Sequence, residues 1–285
     1  MSDTHPKDIL RGLEQRARRR FGQHFLWRRD VVRRIVRGAR VKEGDQVLEV
    51  GPGLGILTEA LVQTGAQVTA VEVDRDLAGF IRDTFPSVRL VVGDALRLDL
   101  GDVCPGSGWK VVSNLPYNIG TPLVLSLVRQ PATFHSLTVM LQKEVADRLL
   151  ASPGTKAYGA LTVQVGARAR VRFVTRVPSS AFHPRPKVES GVVRLEILPE
   201  PEVGPAGPEA FDRVVRAAFS QRRKTIANSL GARYGKALSV EALAKAGIEA
   251  SIRAERLDVV AYGRIAALLH PADVAPAEAS PESPD

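Results

Sequence analysis

The sequence predicts an α/β fold, a mostly parallel sheet of seven strands flanked by helices, followed by a small all-helical domain. Two observations predict the sheet. Short runs rich in Val, Ile and Leu alternate with segments of helical apolar spacing from residue 46 to residue 150, and glycine or proline stands at most of the junctions. A third predicts the second domain: beyond the proline-rich stretch at 198–208, only helical spacing remains.

Taken in order, residues 46–50 (QVLEV) read as a buried strand that turns through Gly51-Pro52-Gly53-Leu54-Gly55. The helix that follows places Leu54, Leu57, Leu61 and Val62 at helical spacing, and Gly65 stops it. Residues 67–73 form the second strand, with Glu72 near its end, and the helix over 76–85 stops at Pro86. The third strand, 88–92, leads into Gly93-Asp94, and the fourth, 110–113, leads into Asn114-Leu115-Pro116-Tyr117. A helix over 123–129 follows Pro122, then come a strand at 137–141 and its helix at 143–150. After a helix over 158–166, strands at 168–177 and 191–198 close the sheet. Helices are predicted around residues 211–219 and over 222–230, 240–246 and 257–269. The expected domains are a basic arm that begins the ligand site (1–40), the sheet domain (41–200), a linker (201–208), a helical domain (209–270) and a disordered tail (271–285).

Composition narrows the function classes. With 285 residues, 44% hydrophobic and 25% charged, the chain is that of a globular protein able to bury a core. One cysteine, Cys104, excludes an intrachain disulfide and a cysteine-rich metal site, and the five histidines lack ligand spacing, so no metal is expected. The polar N-terminus and the lack of a long apolar run predict a cytoplasmic protein without a membrane span, and a monomer is the default. Of the net charge of +9, residues 1–40 carry 12 Lys+Arg against 4 Asp+Glu, while residues 41–150 carry 9 against 13. Residues 151–236 are basic again, 15 against 6. Basic segments around an acidic middle suit a polyanionic partner, although charge alone is equally compatible with a solvated basic surface.

Candidate site residues cluster at strand ends, where open α/β sheets bind ligands. A strand that turns sharply into a helix while a ligand approaches its backbone needs residues without side chains, which explains Gly51 and Gly53. The spacing differs from the six-residue dinucleotide fingerprint. Glu72, at the end of the next strand, can accept both hydroxyls of a ribose, and Asp94, at the end of the third, can accept a hydrogen bond from an adenine amino group. Together the three strand ends describe an adenosine-shaped site.

Six segments carry a family resemblance: Phe21 to Leu26 (FGQHFL), Glu49 to Gly55 (EVGPGLG), Asn114 to Ile119 (NLPYNI), Leu141 to Val145 (LQKEV), Ala181 to Val188 (AFHPRPKV) and Gln221 to Ile226 (QRRKTI). In these the chain resembles the ribosomal RNA adenine dimethyltransferases, most closely their small-subunit branch, over roughly residues 15–270. The resemblance implies a Rossmann-like class I methyltransferase sheet and S-adenosylmethionine as cofactor, held by His24, Leu26, Gly51, Gly53, Glu72, Asp94 and Asn114. The family usually has Asn where this chain has His24; imidazole can also donate or accept a hydrogen bond. Catalysis is implied for Asn114, Leu115, Pro116 and Tyr117, with Phe182 as a second stacking face for the target base. RNA phosphates are implied for Arg18, Arg19 and Arg20, and for Arg222, Arg223 and Lys224 at the start of a helix. The implied partner is small-subunit ribosomal RNA within an assembling subunit, and the implied reaction is dimethylation of two adjacent adenosines near its 3′ end. Two alternatives share these motifs: a large-subunit RNA methyltransferase giving macrolide resistance, and a non-catalytic assembly or transcription factor on the same fold.

Overall fold

The computed structural model describes residues 24–271. The chain divides into two units, Met1–Leu150 with Ala169–Glu200 and Ala151–Arg168 with Pro201–Asp285. Among the described residues, no helix is long and apolar enough to cross a membrane.

The first unit is built on a seven-stranded sheet. In chain order its strands are β2 (Gln46–Val50), β3 (Gln67–Glu72), β4 (Arg89–Val92), β5 (Trp109–Asn114), β6 (Phe134–Gln142), β7 (Ala169–Val177) and β9 (Ser190–Ile197). Their order across the sheet is β4-β3-β2-β5-β6-β9-β7. The pairs from β4 to β6 are parallel, whereas β9 is antiparallel to both β6 and β7. The chain therefore runs outward from β2 through β3 to β4 and then returns to the other side of β2 as β5. That reversal opens a crevice beyond the carboxyl ends of β2 and β5. Strands buried on both faces explain the near-continuous apolar runs: Val47, Leu48, Val111, Val112, Leu137 and Val139 are all fully buried.

Helices α1 (Arg29–Ala39), α2 (Ile56–Val62), α3 (Arg75–Thr84), α4 (Leu100–Val103), α5 (Gly120–Leu127) and α6 (Lys143–Leu149) accompany the sheet. The expected basic arm of residues 1–40 thus contains a packed helix. Val31, Val32, Ile35 and Ala39 fall at helical spacing and are buried, while Arg33, Arg34 and Arg37 stay exposed. Helix α5 starts before Pro122 rather than after it, because the missing N–H of proline is harmless in a first turn. A short pair lies outside the main sheet, β1 (Phe25–Leu26) with β8 (Phe182–His183), in the register Phe25 to His183 and Leu26 to Phe182.

The second unit contains helices α7 (Ala160–Gly166), α8 (Gly207–Ala218), α9 (Ile226–Tyr234), α10 (Lys236–Lys245) and α11 (Val259–Leu269). The segment 151–168, expected within the 41–200 domain, belongs here instead. Tyr158, Val163 and Ala167 share a core with Phe211, Val214, Leu230, Tyr262 and Ile265, and the Tyr158 hydroxyl donates to the Leu257 carbonyl at 2.7 Å. Arg168 forms two 3.1 Å contacts with the Asp212 carboxylate, and both side chains are buried. The expected 201–208 linker is likewise part of the packing: Val203 and Ala206 are buried in that core, and α8 already begins at Gly207.

Candidate active site

The crevice at the β2/β5 reversal is lined by His24, Leu26, Glu49, Gly51, Gly53, Glu72 and residues 114–117, among others. Its floor is the glycine loop. Gly51, Gly53 and Gly55 have φ of +70°, +58° and +77°, a region in which a side chain is strained. Space is as restrictive as backbone angle: a Cβ on Gly53 would stand 3.1 Å from Phe25 Cδ1, and one on Gly55 would stand 2.3 Å from Phe85 Cε2. On Gly51 it would meet the Pro116 ring at 3.4 Å, so the loop after β2 and the segment after β5 form adjoining walls.

Glu72 closes one side. Its Oε1 accepts from the backbone amides of Val73 at 2.9 Å and Asp74 at 3.0 Å, and Oε2 accepts from Gly53 N–H at 3.4 Å. Burial pushes its carboxyl above the usual range, while the three amides pull the other way. The loop and this carboxylate are thus fixed to one another before any ligand enters. Asp94 sits one strand further out, beyond the end of β4. It accepts from the Leu96 amide at 3.0 Å and lies 3.5 Å from the Arg97 guanidinium, but it is not among the cavity-lining residues.

The opposite side is the Asn114 to Tyr117 segment. Ser113 Oγ donates to the Val50 carbonyl at 2.5 Å, and Leu115 N–H donates to the Met140 carbonyl at 3.3 Å, fixing the segment between β2 and β6. Asn114 Nδ2 donates to the His24 backbone carbonyl at 3.4 Å, which leaves Oδ1 as the acceptor end of the amide. Tyr117 holds its hydroxyl 2.7 Å from Ser190 Oγ, and its ring centroid stands 5.4 Å from that of His24 at an interplanar angle of 36°. The His24 imidazole is anchored by its Nδ1 to the Pro184 carbonyl at 2.8 Å. Substitution of the usual Asn therefore leaves the Asn114 contact intact, because that contact goes to the backbone of residue 24.

Several expectations need correction or fall elsewhere. Phe182, expected as a second stacking face, is 2% exposed and packs in the core with Leu26, Val177 and Ala181. It pairs with Leu26 in the β1/β8 ladder and is not among the cavity-lining residues, although Leu26 is. Arg222, Arg223 and Lys224 do not begin a helix. They occupy an exposed turn, and α9 starts at Ile226 with Thr225 as its cap, whose hydroxyl accepts from the Asn228 amide at 3.4 Å. Arg18, Arg19 and Arg20 lie outside the described residues. Sequence reasoning also passed over Glu49 as a site residue, although a carboxylate inside an apolar strand directly before a glycine loop is a visible signal. Glu49 is 1% exposed, lines the cavity and accepts from Thr58 Oγ1 at 2.7 Å.

Three of the six segments that carry the resemblance line this crevice, and comparison with known proteins agrees. Residues 14–270 match the profile of the family described as ribosomal RNA adenine dimethylase. The chain belongs to that family. A relative from Phenylobacterium zucineum, named ribosomal RNA small subunit methyltransferase A, is 46% identical over 271 residues, 93% of this chain and 92% of its own. A protein of the same name from Alkaliphilus oremlandii is 40% identical over 275 residues, 93% of this chain and 96% of its own. Among solved structures, a dimethyladenosine transferase from Plasmodium falciparum aligns with a TM-score of 0.72 and 26% identity, covering 85% of this chain and 96% of that one. The 23S rRNA methyltransferase ErmE aligns with a TM-score of 0.65 and 29% identity over 86% of this chain and 99% of its own.

Proposed function

We propose that this chain transfers methyl groups from S-adenosylmethionine to N6 of two adjacent adenosines near the 3′ end of small-subunit ribosomal RNA, dimethylating each within an assembling subunit. The observation that carries the reading is the join of two walls at one sheet reversal: a glycine-floored acidic cavity and an amide whose free end is an acceptor. The names of the 40–46% identical relatives support the small subunit over the large one as the substrate.

The cavity residues fit the cofactor. Glu72 Oε2 has acceptor capacity beyond its long contact to Gly53, as a ribose diol requires, and the glycines let a ligand lie against backbone. Asp94 is proposed to take the adenine amino group from the rim. The cofactor supplies a methyl group on a cationic sulfur, already activated for transfer, so no acid or base in the protein need assist its departure.

The residues of this chain act on the other reactant. The exocyclic nitrogen of adenine is a poor nucleophile because its lone pair is delocalised into the ring, and attack requires it to pyramidalise as positive charge develops. Asn114 Oδ1 and the Leu115 carbonyl accept its two hydrogens and stabilise that charge as dipoles already in place. Pro116 biases Leu115 toward an extended backbone and so aims the carbonyl. Tyr117, clamped to Ser190, offers a ring on which an unstacked base can rest, worth about 1–3 kcal/mol per base. Pairing the target with these acceptors also supplies the orientation that converts an encounter into an in-line attack. Arg222, Arg223 and Lys224, exposed in one turn and without an ion-pair partner among the described residues, are proposed to hold RNA phosphates.

The test is methyl transfer from labelled S-adenosylmethionine to purified, unmethylated small subunits and, in parallel, to protein-free large-subunit RNA, with nucleoside analysis of both. N6,N6-dimethyladenosine in the small subunit alone is the expected result. Label in large-subunit RNA alone would assign the chain to the resistance-type activity, and label in neither, with measurable subunit binding, would make it a binding factor.

A further inference from the structure

The mechanism leaves one buried ionisable group in the cavity without a task. Glu49 is the fourth residue of β2, is 1% exposed, and lines the same cavity as Glu72, Asn114 and Tyr117. Its one hydrogen bond comes from Thr58 Oγ1 on α2, and among the described residues it has no ion-pair partner. The groups around it do not supply a cation. Glu72 on the neighbouring strand opposes its charge, Glu59 beside Thr58 is engaged by Arg29 at 3.1 Å, and Asp74 caps α3. The remaining titratable groups of the cavity wall are His24 and Tyr117.

A buried carboxyl without a cation is held neutral by the cost of desolvating its charge. Burial pushes Glu49 up to about 8, with Thr58 opposing and Glu72 adding to the rise. A cation entering the cavity reverses that balance. We propose that Glu49 is a charge-sensing group that ionises when a sulfonium ligand enters and is reprotonated once that sulfur has become a neutral thioether, so the cavity favours S-adenosylmethionine over S-adenosylhomocysteine. This rests on the cavity being the cofactor site.

The protons balance without a co-reactant. On entry of the sulfonium, the Glu49 O–H proton passes to solvent. When the methyl group moves, the positive charge leaves sulfur with it, N6 sheds one proton to water, and Glu49 takes one proton back from solvent. The attraction that the sulfonium added is then absent for the product, which keeps only the α-ammonium group common to both ligands. An enzyme that places two methyl groups on one nitrogen must exchange that product between transfers, and this device weakens the hold on the product alone.

The test is calorimetric binding of S-adenosylmethionine and of S-adenosylhomocysteine to the full chain, in buffers of different ionisation enthalpy between about pH 6.5 and about pH 9. In the wild type, sulfonium binding should release up to about one proton near neutral pH that thioether binding does not. Protons exchanged by the ligands' own α-amino groups are separated by the comparison of wild type with Glu49→Gln, since those groups are present in both. In Glu49→Gln the extra release should vanish and the sulfonium-to-thioether affinity ratio should fall by about ten-fold, the equivalent of one pKa unit. Thr58→Val, which removes the donor favouring the charged form, should keep the release and move it to higher pH. Equal proton release and an unchanged ratio in Glu49→Gln would overturn the inference while leaving the cofactor site standing, as would a Thr58→Val release at the wild-type pH. Failure of the wild type to bind either ligand would instead overturn the cofactor reading itself.

Discussion

Gly55→Ala tests whether the glycine loop is demanded by packing as well as by backbone angle. Gly55 precedes α2 with φ +77°, and an added Cβ would come 2.3 Å from Phe85 Cε2, 3.0 Å from Cζ and 3.1 Å from Ile81 Cδ1. The left-handed backbone costs alanine about 1–2 kcal/mol. Overpacking against Phe85 and Ile81, both in the core, adds about 1–3 kcal/mol. Gly44→Ala is the matched control, since Gly44 has φ +79° but nothing within 4 Å of the added carbon. It should cost only the backbone part, about 1–2 kcal/mol. Urea unfolding followed by a probe in the first unit should therefore place the Gly55 variant roughly 1–3 kcal/mol below the Gly44 variant, with unchanged slopes. Equal losses would refute the packing argument and leave only the backbone angle to explain the residue.

Other expectations follow from single contacts. Asn114→Ala should lower the rate of methyl transfer by about 10²–10³, a larger loss than that of cofactor affinity, measured by single-turnover kinetics and equilibrium binding. Phe182→Ala should cost about 3–5 kcal/mol in unfolding free energy, because a ring 2% exposed leaves a cavity; a loss of RNA affinity at unchanged stability would restore the stacking role. Arg168→Ala removes both 3.1 Å contacts to the buried Asp212 carboxylate and should destabilise the second unit by up to about 3–5 kcal/mol, most of it recovered when Asp212 is replaced by Leu as well. Glu49 sits above its unfolded value, so the folded state binds the extra proton and its contribution to stability is lost as pH rises from about 4.5 to about 8. Glu49→Gln should remove that decline, gaining on the wild type across this window in pH-dependent unfolding, with an upper bound of roughly 5 kcal/mol.

The strands of the main sheet were legible because most are runs of apolar residues bounded by glycine, proline or a polar turn, while the edge strand β7 alternates with arginines, and their ends agree with the observed ones within a few residues. The candidate site residues at those ends stood out for the same reason, a charge or an amide at the end of a buried strand, and of them Glu72 and Asn114 line the cavity while Asp94 does not. Other features left weaker traces. Helix α1 carries its apolar residues at helical spacing, but the six arginines from Arg28 to Arg40 made the stretch read as a basic arm. Thr225 offered a cap signal that places Arg222 to Lys224 ahead of the helix rather than in it. The two-residue strands β1 and β8 have no period to detect, and their partners are more than 150 residues apart. The burial of Phe182 with Leu26, Val177 and Ala181 was hidden by that gap, because the face a residue takes in such a ladder depends on register, which a one-residue shift inverts.

That small ladder also links fold to chemistry. Asn114 could present either end of its amide to the cavity, and only the oxygen can accept hydrogens from an amino group. The choice is made by the carbonyl of His24, which takes the Nδ2 hydrogen at 3.4 Å. His24 is placed there from both sides, by its own ring bonded to the Pro184 carbonyl and by the pairing of the next residue, Phe25, with His183. The orientation of the Asn114 amide at the end of β5 thus depends on a pairing between the start of the described chain and the segment before β9. The Asn114 contact itself goes to the backbone of residue 24, so it does not depend on which side chain stands there. Loss of the β1/β8 pairing, by contrast, would free the amide to rotate and reduce the rate of transfer while leaving Glu72 and the glycine loop in place.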